Sequence, residues 1–143
     1  RAEFGPRALG NRSLLADPRE ISTKDLVNDI KQRQKFRPFA PAILEEHCHD
    51  YFDMPDHSRY MSYTYQCTRS DDIPACLHVD NSARVQTVPE TSNSILRPIL
   101  EAWYERTGCP VLLNTSLNVR GKPMVNDWSD AELFSKKYSV DVF

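Results

Sequence analysis

Apolar residues recur at helical spacing in three stretches of this chain, and shorter extended patterns lie between them. The first helical stretch, residues 22–36, begins at a capping residue, Ser22, and places Leu26, Val27 and Ile30 on one face. This pattern predicts a helix of about three turns whose apolar face packs against the rest of the protein.

Two further helices are predicted in the second half of the chain. The earlier one carries Ile95, Ile99 and Trp103 four residues apart. Leu96 and Leu100 stand beside them, so the helix is expected to bury a wide apolar stripe and to end at Gly108. The later one begins at Ser129, where Glu132 completes a capping box. Because strands are expected between the helices, the pattern favours a mixed α/β domain.

The extended patterns predict short strands. Residues 37–44 contain two prolines, which indicates an extended segment at a sheet edge or at the start of a strand. Residues 76–88 predict two strands joined around Asn81 as a hairpin. Residues 111–113 form an apolar run before polar residues, which is typical of a buried strand. We therefore expect an α/β fold in which helices cover one sheet.

Composition narrows the class of protein. The 143 residues are 40% hydrophobic and 27% charged, which suits one compact domain over residues 1–143. The formal net charge of −2 argues against attraction of nucleic acid or membrane by the whole surface, so any anion site must be local. No apolar run reaches the length of a membrane span, and the first residues lack the pattern of a secretory signal. We expect a cytoplasmic protein.

Cysteine and histidine do not indicate a metal site. The four cysteines include no CxxC pair, which favours reduced thiols. The most metal-like cluster, residues 47–50, lacks the second pair of ligands that a zinc site needs. We therefore predict no bound metal in this chain.

Basic residues lie at the edges of the predicted elements, where they combine into a candidate phosphate site. Any single arginine or lysine would ordinarily remain solvated. As a set, arginine side chains match phosphate bidentately, and the amide and hydroxyl groups of residues 114–116 follow a buried strand, where such folds bind ligands. The set comprises Arg7, Arg12, Lys31, Arg33, Arg37, Arg84, Arg120 and Lys122.

Four long motifs carry a family resemblance. They are EFGPRALGNRSLLADPR, IKQRQKFRPFAPAIL, HVDNSARVQTV and PVLLNTSLNVRGKP. In this order they resemble the C-terminal domain of the NodU/CmcH O-carbamoyltransferases. The resemblance implies a YrdC-like fold, a twisted sheet covered by helices, which binds ATP and carbamoyl phosphate and forms carbamoyl adenylate. It also implies a partner, an N-terminal actin-like domain that holds an iron-type metal and passes the carbamoyl group to an acceptor hydroxyl. That domain is expected to lie outside this chain.

The resemblance also implies roles for individual residues. Three are expected to neutralise charge in catalysis, namely Lys31, Arg37 and Arg84. The residues expected to bind ATP and carbamoyl phosphate are Asn114, Ser116 and Arg7, with Arg12 and Arg33 as outer candidates. Attack of a carbamoyl oxygen on the α-phosphorus needs cations around the phosphates and no protein nucleophile. Mg²⁺ is expected only as part of the ATP substrate.

The chain departs from the family pattern at a few positions, and two other functions stay open. Asn81 replaces a glycine and must tolerate a positive φ, while Gln34 and Leu117 replace an acidic residue and a phenylalanine.

One alternative function is synthesis of threonylcarbamoyl adenylate for transfer RNA modification. The other is a non-catalytic module that binds nucleotide or RNA, for which only Phe36 and Phe39 could stack on bases. Nucleic acid is therefore the less favoured partner.

Overall fold

The computed structural model describes residues 3, 5 and 7–142. In this part of the chain the α-helices are α1 (Ile21–Ile30), α2 (Cys48–Tyr51), α3 (Leu96–Thr107) and α4 (Trp128–Tyr138). The strands are β1 (Ser13–Ala16), β2 (Ala40–Leu44), β3 (Phe52–Asp53), β4 (Tyr65–Cys67), β5 (Ser82–Ala83), β6 (Gln86–Val88) and β7 (Val111–Ser116). None of these helices combines the length and the apolar character that a membrane crossing requires.

Two sheets organise the described residues. The larger one has the strand order β1-β7-β2-β6, in which β7 runs antiparallel to both of its neighbours and β2 runs parallel to β6. The smaller one has the order β3-β4-β5 and is antiparallel. The predicted α/β class is confirmed as one compact mixed domain. The prediction of a single covered sheet is corrected to two sheets, and the YrdC-like topology stays a prediction.

Strand β7 lies at the centre of the core because its successive side chains point to opposite faces of the sheet and pack in different hydrophobic clusters. Val111 and Leu113 belong to clusters on the side of the small sheet and α1, whereas Leu112 packs with Leu100 of α3. All five residues of the neighbouring strand β2 are also buried. This burial on both faces explains why the two strands read as short continuous apolar runs.

Strand β2 corrects one prediction about its prolines. It lies inside the larger sheet, so the predicted edge position is wrong, whereas the alternative of a strand start holds. Pro41 is the second residue of β2 and pairs with Leu113 of β7. The register with β6 begins only at Ala42, so the missing N–H of Pro41 costs no bond to that strand.

The predicted hairpin over residues 76–88 is wrong. Residues Pro74–Cys76 form a 3₁₀ turn, and no strand precedes Asn81 within this stretch. Strand β5 pairs with β4 of the small sheet, while β6 pairs with β2 of the large sheet. The chain therefore passes from one sheet to the other at residues 84 and 85. The turn at Asn81 has the positive φ that the sequence requires, 61°.

Helix ends agree only partly with the sequence signals. Ser22 lies inside α1, which begins after Glu20 without a side-chain cap. Helix α4 is capped by Asp127, which accepts a hydrogen bond from the backbone N–H of Asp130, so the predicted box at Ser129 is also wrong. Helix α3 ends as predicted at Gly108, whose φ of 70° suits a left-handed cap.

The buried stripe of α3 is narrower than the wide stripe that the sequence predicts. Ile95 and Ile99 are exposed by 53% and 37%, whereas Leu96 and Leu100 are fully buried. Both rows have the same four-residue spacing, so the sequence periodicity could not distinguish them. The position of α3 on the larger sheet decides which row faces the core.

Candidate anion-binding site

Four basic side chains from two connections come together in the described structure. Lys31 is the C-cap of α1, Arg33 and Arg37 lie between α1 and β2, and Arg84 lies between β5 and β6. We call these four residues the cationic cluster. Their positive charges act on one another: those of Arg33 and Arg37 help to lower the pKa of Lys31, and those of Arg37 and Arg84 help to lower the pKa of Arg33.

Lys31 anchors the segment that follows β7. Its side chain is almost fully buried, and Nζ donates to the backbone carbonyls of Ser116 and Asn118, the latter at 2.9 Å. The side-chain oxygens of the same two residues lie 3.4 and 3.2 Å from Nζ. Burial, followed by the charges of Arg33 and Arg37, lowers the pKa of Lys31 to about 8. Its carbonyl also accepts from the backbone N–H of Arg120 at 3.0 Å.

Arg33 is held in place by a buried asparagine. Its Nε donates to Oδ1 of Asn28 at 2.7 Å, and its guanidinium carbon lies 4.4 Å from the ring centroid of Phe39. The Asn28 amide in turn donates to the carbonyls of Lys35 and Arg37, at 3.2 and 3.0 Å. Burial is the main cause that lowers the pKa of Arg33 to about 10. Asn28 therefore shapes the connection that carries two members of the cluster.

Arg84 and Arg37 complete the cluster. Arg84 is partly buried, and this burial, together with the charges of Arg7 and Arg37, lowers its pKa. Arg37 is exposed. Because the charge of Arg7 helps to lower the pKa of Arg84, Arg7 lies close to the cluster, in agreement with the grouping in the sequence analysis. The structure brings together five of the eight predicted basic residues, the cluster and Arg7.

Among residues 3, 5 and 7–142, no carboxylate forms an ion pair with the cationic cluster. The ion pairs of the described residues all involve other basic side chains, including Arg19 with Asp17, Arg69 with Asp72 and Arg97 with two glutamates. A group of cations without internal counter-charge suits a bound polyanion, because the anion offsets repulsion that the protein leaves in place.

The other predicted site residues lie in different surroundings. Arg12 donates to the carbonyls of Glu3 and Val125, at 3.0 and 3.3 Å. Asn114 is 1% exposed, and its amide donates to the carbonyl of Ala8 at 3.1 Å and to Oε1 of Gln86 at 2.7 Å. Ser116 is only partly buried and contacts Lys31, as described above. Arg120 and Lys122 are exposed.

Sequence reasoning missed Asn28, Gln86 and Asn118. Each supplies hydrogen bonds that shape the site or its surroundings. A usable signal exists for Asn28, since asparagine is a poor residue inside a helix and invites a structural reason. Gln86 offers a weaker signal, since it is a polar residue in a predicted strand between Val85 and Val88.

The histidine-rich segment has ordinary pairings. His47 contacts Asp50 and His49 contacts Asp56, each at 3.0 Å. In residues 3, 5 and 7–142, no three His, Cys, Asp or Glu side chains are placed to hold a metal ion. All four cysteines are buried free thiols, as the sequence predicts.

Comparison with known proteins gives a consistent result along the whole chain. A family model described as carbamoyltransferase C-terminus matches residues 1–143. Nodulation protein NolO of Bradyrhizobium diazoefficiens is 44% identical over 137 residues, which cover 92% of this chain and 25% of that protein. The 3'-hydroxymethylcephem-O-carbamoyltransferase of Amycolatopsis lactamdurans is 41% identical over 140 residues, covering 98% of this chain and 27% of that protein. Nodulation protein U of Azorhizobium caulinodans is 42% identical over 133 residues, with coverage of 92% and 24%. The chain thus spans about a quarter of the length of these relatives.

Proposed function

This chain belongs to the carbamoyltransferase C-terminal family, and from that membership we propose that it is the adenylate-forming part of an O-carbamoyltransferase. Its substrates are ATP, bound with Mg²⁺, and carbamoyl phosphate. Its product is carbamoyl adenylate, which the remainder of a longer protein transfers to an acceptor hydroxyl. The observation that carries the proposal is the cationic cluster, which has no internal counter-charge among the described residues.

The chemistry requires cations rather than a protein nucleophile. Water cleaves carbamoyl phosphate to carbamate and inorganic phosphate. A carbamate oxygen then attacks the α-phosphorus of ATP, the bond from that phosphorus to the bridging β-phosphate oxygen breaks, and pyrophosphate leaves. Negative charge grows on the equatorial and leaving oxygens during the attack, so positive side chains placed around them lower the barrier.

The cluster residues divide this work. Arg33, Arg37 and Arg84 present guanidinium N–H groups, which bind phosphate oxygens bidentately. Lys31 adds positive charge while it holds the segment of Ser116 in place. The Ser116 hydroxyl, which donates to Oδ1 of Asn118 at 2.6 Å, can turn to a carbamoyl or phosphate oxygen.

Transfer to the acceptor belongs to the partner in this proposal. An actin-like N-terminal domain with an iron-type metal receives carbamoyl adenylate and selects the hydroxyl. An adenylate of this kind hydrolyses when water reaches it, so the two parts must exclude water together. We therefore expect the 143-residue chain alone to fold but to transfer no carbamoyl group to an added alcohol, as followed by mass spectrometry of the alcohol.

The first test measures pyrophosphate released by the 143-residue chain. We expect release only when ATP, Mg²⁺ and carbamoyl phosphate are all present. Release from ATP alone would identify a simple ATPase, and no release under any condition, although Mg-ATP binds, would leave only a nucleotide-binding module.

The second test assigns the site by calorimetric titration with Mg-ATP. Arg37→Ala and Arg84→Ala should each weaken binding by roughly 1.5 to 3 kcal/mol, because each removes charge-assisted hydrogen bonds. The matched control is Arg106→Ala, which removes an exposed arginine from the last turn of α3. Equal affinity of all three variants and the parent chain would refute the site assignment.

A further inference from the structure

Residues 7–12, which we call the N-terminal strap, are fastened to the larger sheet by buried amides. Asn114 of β7 donates to the carbonyl of Ala8 at 3.1 Å. Gln86 of β6 donates to the next carbonyl, that of Leu9, at 3.4 Å, and its Oε1 accepts from Asn114 at 2.7 Å. Asn114 and Gln86 are 1% and 4% exposed. Two side chains from neighbouring parts of the sheet therefore bind two successive carbonyls of one segment.

Helix α3 fastens the same segment from another side. The Ser94 hydroxyl, just before α3, donates to the Leu9 carbonyl at 3.3 Å. Gly10 has a φ of 131°, and a Cβ at this position would lie 2.9 Å from Cγ of Leu96 and 3.0 Å from Oγ of Ser94. Only glycine combines this backbone conformation with so close an approach. The strap is thus held at Ala8, Leu9 and Gly10.

Arg7 directly precedes these fastened residues. Its positive charge acts on Arg84, which places it beside the cationic cluster. The chain has few ways to move Arg7 once the next three residues are fixed, because consecutive Cα atoms are only about 3.8 Å apart. The buried amides of Asn114 and Gln86 therefore set the position of Arg7, although they bind only the carbonyls of the residues that follow it.

We propose that Gln86 and Asn114 are positioning residues, which hold Arg7 at the anion site by binding the backbone carbonyls of Ala8 and Leu9. This inference rests on the proposed function for the ligand of that site. It adds a positioning role to the one predicted for Asn114, because both hydrogens of its amide are donated to protein acceptors. It also gives a role to Gln86, which the sequence motifs did not assign.

A purely structural pairing is the competing explanation, since buried polar groups are normally hydrogen-bonded. Thr87, the next residue of β6, provides a matched control. It is 2% exposed and donates to Oε2 of Glu45 at 2.7 Å, away from the strap. Gln86→Met and Thr87→Val each remove one buried polar group from the same strand. Only Gln86→Met should release the strap.

The first experiment needs no ligand. Trypsin cleavage after Arg7 is followed by mass spectrometry, under conditions where thermal unfolding shows each variant to be folded. Cleavage requires local opening of the strap, so Gln86→Met should increase its rate at least about tenfold, whereas Thr87→Val should leave it unchanged. Gly10→Ala, which displaces the strap by crowding Leu96, should act in the same direction and serves if Gln86→Met fails to fold.

The second experiment is a double-mutant cycle on Mg-ATP affinity. Arg7→Ala should weaken binding about tenfold and Gln86→Met about three- to tenfold. In the Arg7→Ala background, Gln86→Met should have no further effect, because it acts through Arg7. Thr87→Val should not change the affinity in either background.

Each outcome has a distinct meaning. Unchanged cleavage after Arg7 in both Gln86→Met and Gly10→Ala would overturn the fastening of the strap. Faster cleavage with additive losses of affinity in the cycle would overturn the positioning of Arg7. Failure of the parent chain to bind Mg-ATP would refute the proposed function, while the trypsin result would still decide whether the amides fasten the strap.

Discussion

The cationic cluster and the surroundings of Arg97 show two ways in which this fold treats buried positive charge. Arg97, in the first turn of α3, contacts Glu46 through both terminal nitrogens, at 2.9 and 2.7 Å. Its Nε contacts Glu101 at 2.7 Å, and these hydrogen bonds raise its pKa. In the cluster, burial and neighbouring cations lower the pKa of Lys31, Arg33 and Arg84.

The difference separates a cation that is paired with carboxylates from a group that has no such pair among the described residues. The chain has 20 acidic residues against 18 basic ones, so a shortage of carboxylates does not explain the bare cluster. All three guanidinium nitrogens of Arg97 donate to carboxylates of the same protein, so its charge is already paired. Perturbed pKa values concentrate at functional sites, which supports the proposed anion site.

The largest expected difference is in stability. Arg97→Met should lower the free energy of unfolding by about 2 to 3 kcal/mol, because it removes charge-assisted hydrogen bonds from a side chain that is 9% exposed. Arg84→Met should leave the free energy unchanged or raise it slightly, because it removes repulsion. Urea unfolding of both variants measures the contrast. Equal destabilisation by the two substitutions would erase the distinction between the regions.

The next difference is in pH dependence. Anion binding favours protonated Lys31, so Mg-ATP affinity should fall about fivefold as the pH rises from about 7 to 9.5, through the pKa of about 8. Stability should respond in the opposite sense. The pKa in the folded state lies below the ordinary value of 10.5, so the unfolded chain holds more protons between these values. The contribution of Lys31 to the free energy of unfolding therefore rises with pH over that window.

Lys31→Met should flatten both pH profiles, whereas the control Lys35→Met, which removes an exposed lysine paired with Asp29, should leave them unchanged. Calorimetry and urea unfolding at a series of pH values provide the two readouts. A fall in affinity that persists in Lys31→Met would assign the titration to another group.

The smallest expected effect is stabilisation by a simple anion. Sulfate should raise the free energy of unfolding by about 0.5 to 1 kcal/mol more than chloride at the same ionic strength, because it binds only the folded cluster. Arg37→Ala should remove most of this difference, while Arg106→Ala should not. If Arg37→Ala keeps the full sulfate effect, the stabilising anion binds elsewhere.

The site was only partly predictable from the sequence. Residue types and motifs identified Lys31, Arg33, Arg37 and Arg84 as a group, and the structure brings their charges together. The same reasoning expects Asn114 to bind a substrate, which stays a prediction, and it did not anticipate that the Asn114 amide donates to the strap and to Gln86. A motif records that a residue type is needed at a position. It does not record which other side chains and carbonyls that residue contacts.

Local chemistry in the sequence determined the α/β class, the end of α3 at Gly108, the positive φ of Asn81 and the family of the chain, because each depends on nearby residues or on motifs read in order. Tertiary structure alone decided that β5 and β6 join different sheets, and that within the wide stripe of α3 Ile95 and Ile99 stay exposed while Leu96 and Leu100 face the core. It also decided that, in the described part of the chain, carboxylates pair with Arg97 and not with the cationic cluster. Strand partners, buried rows and counter-charges come from residues far apart in the chain, so they depend on long-range packing that local periodicity does not encode.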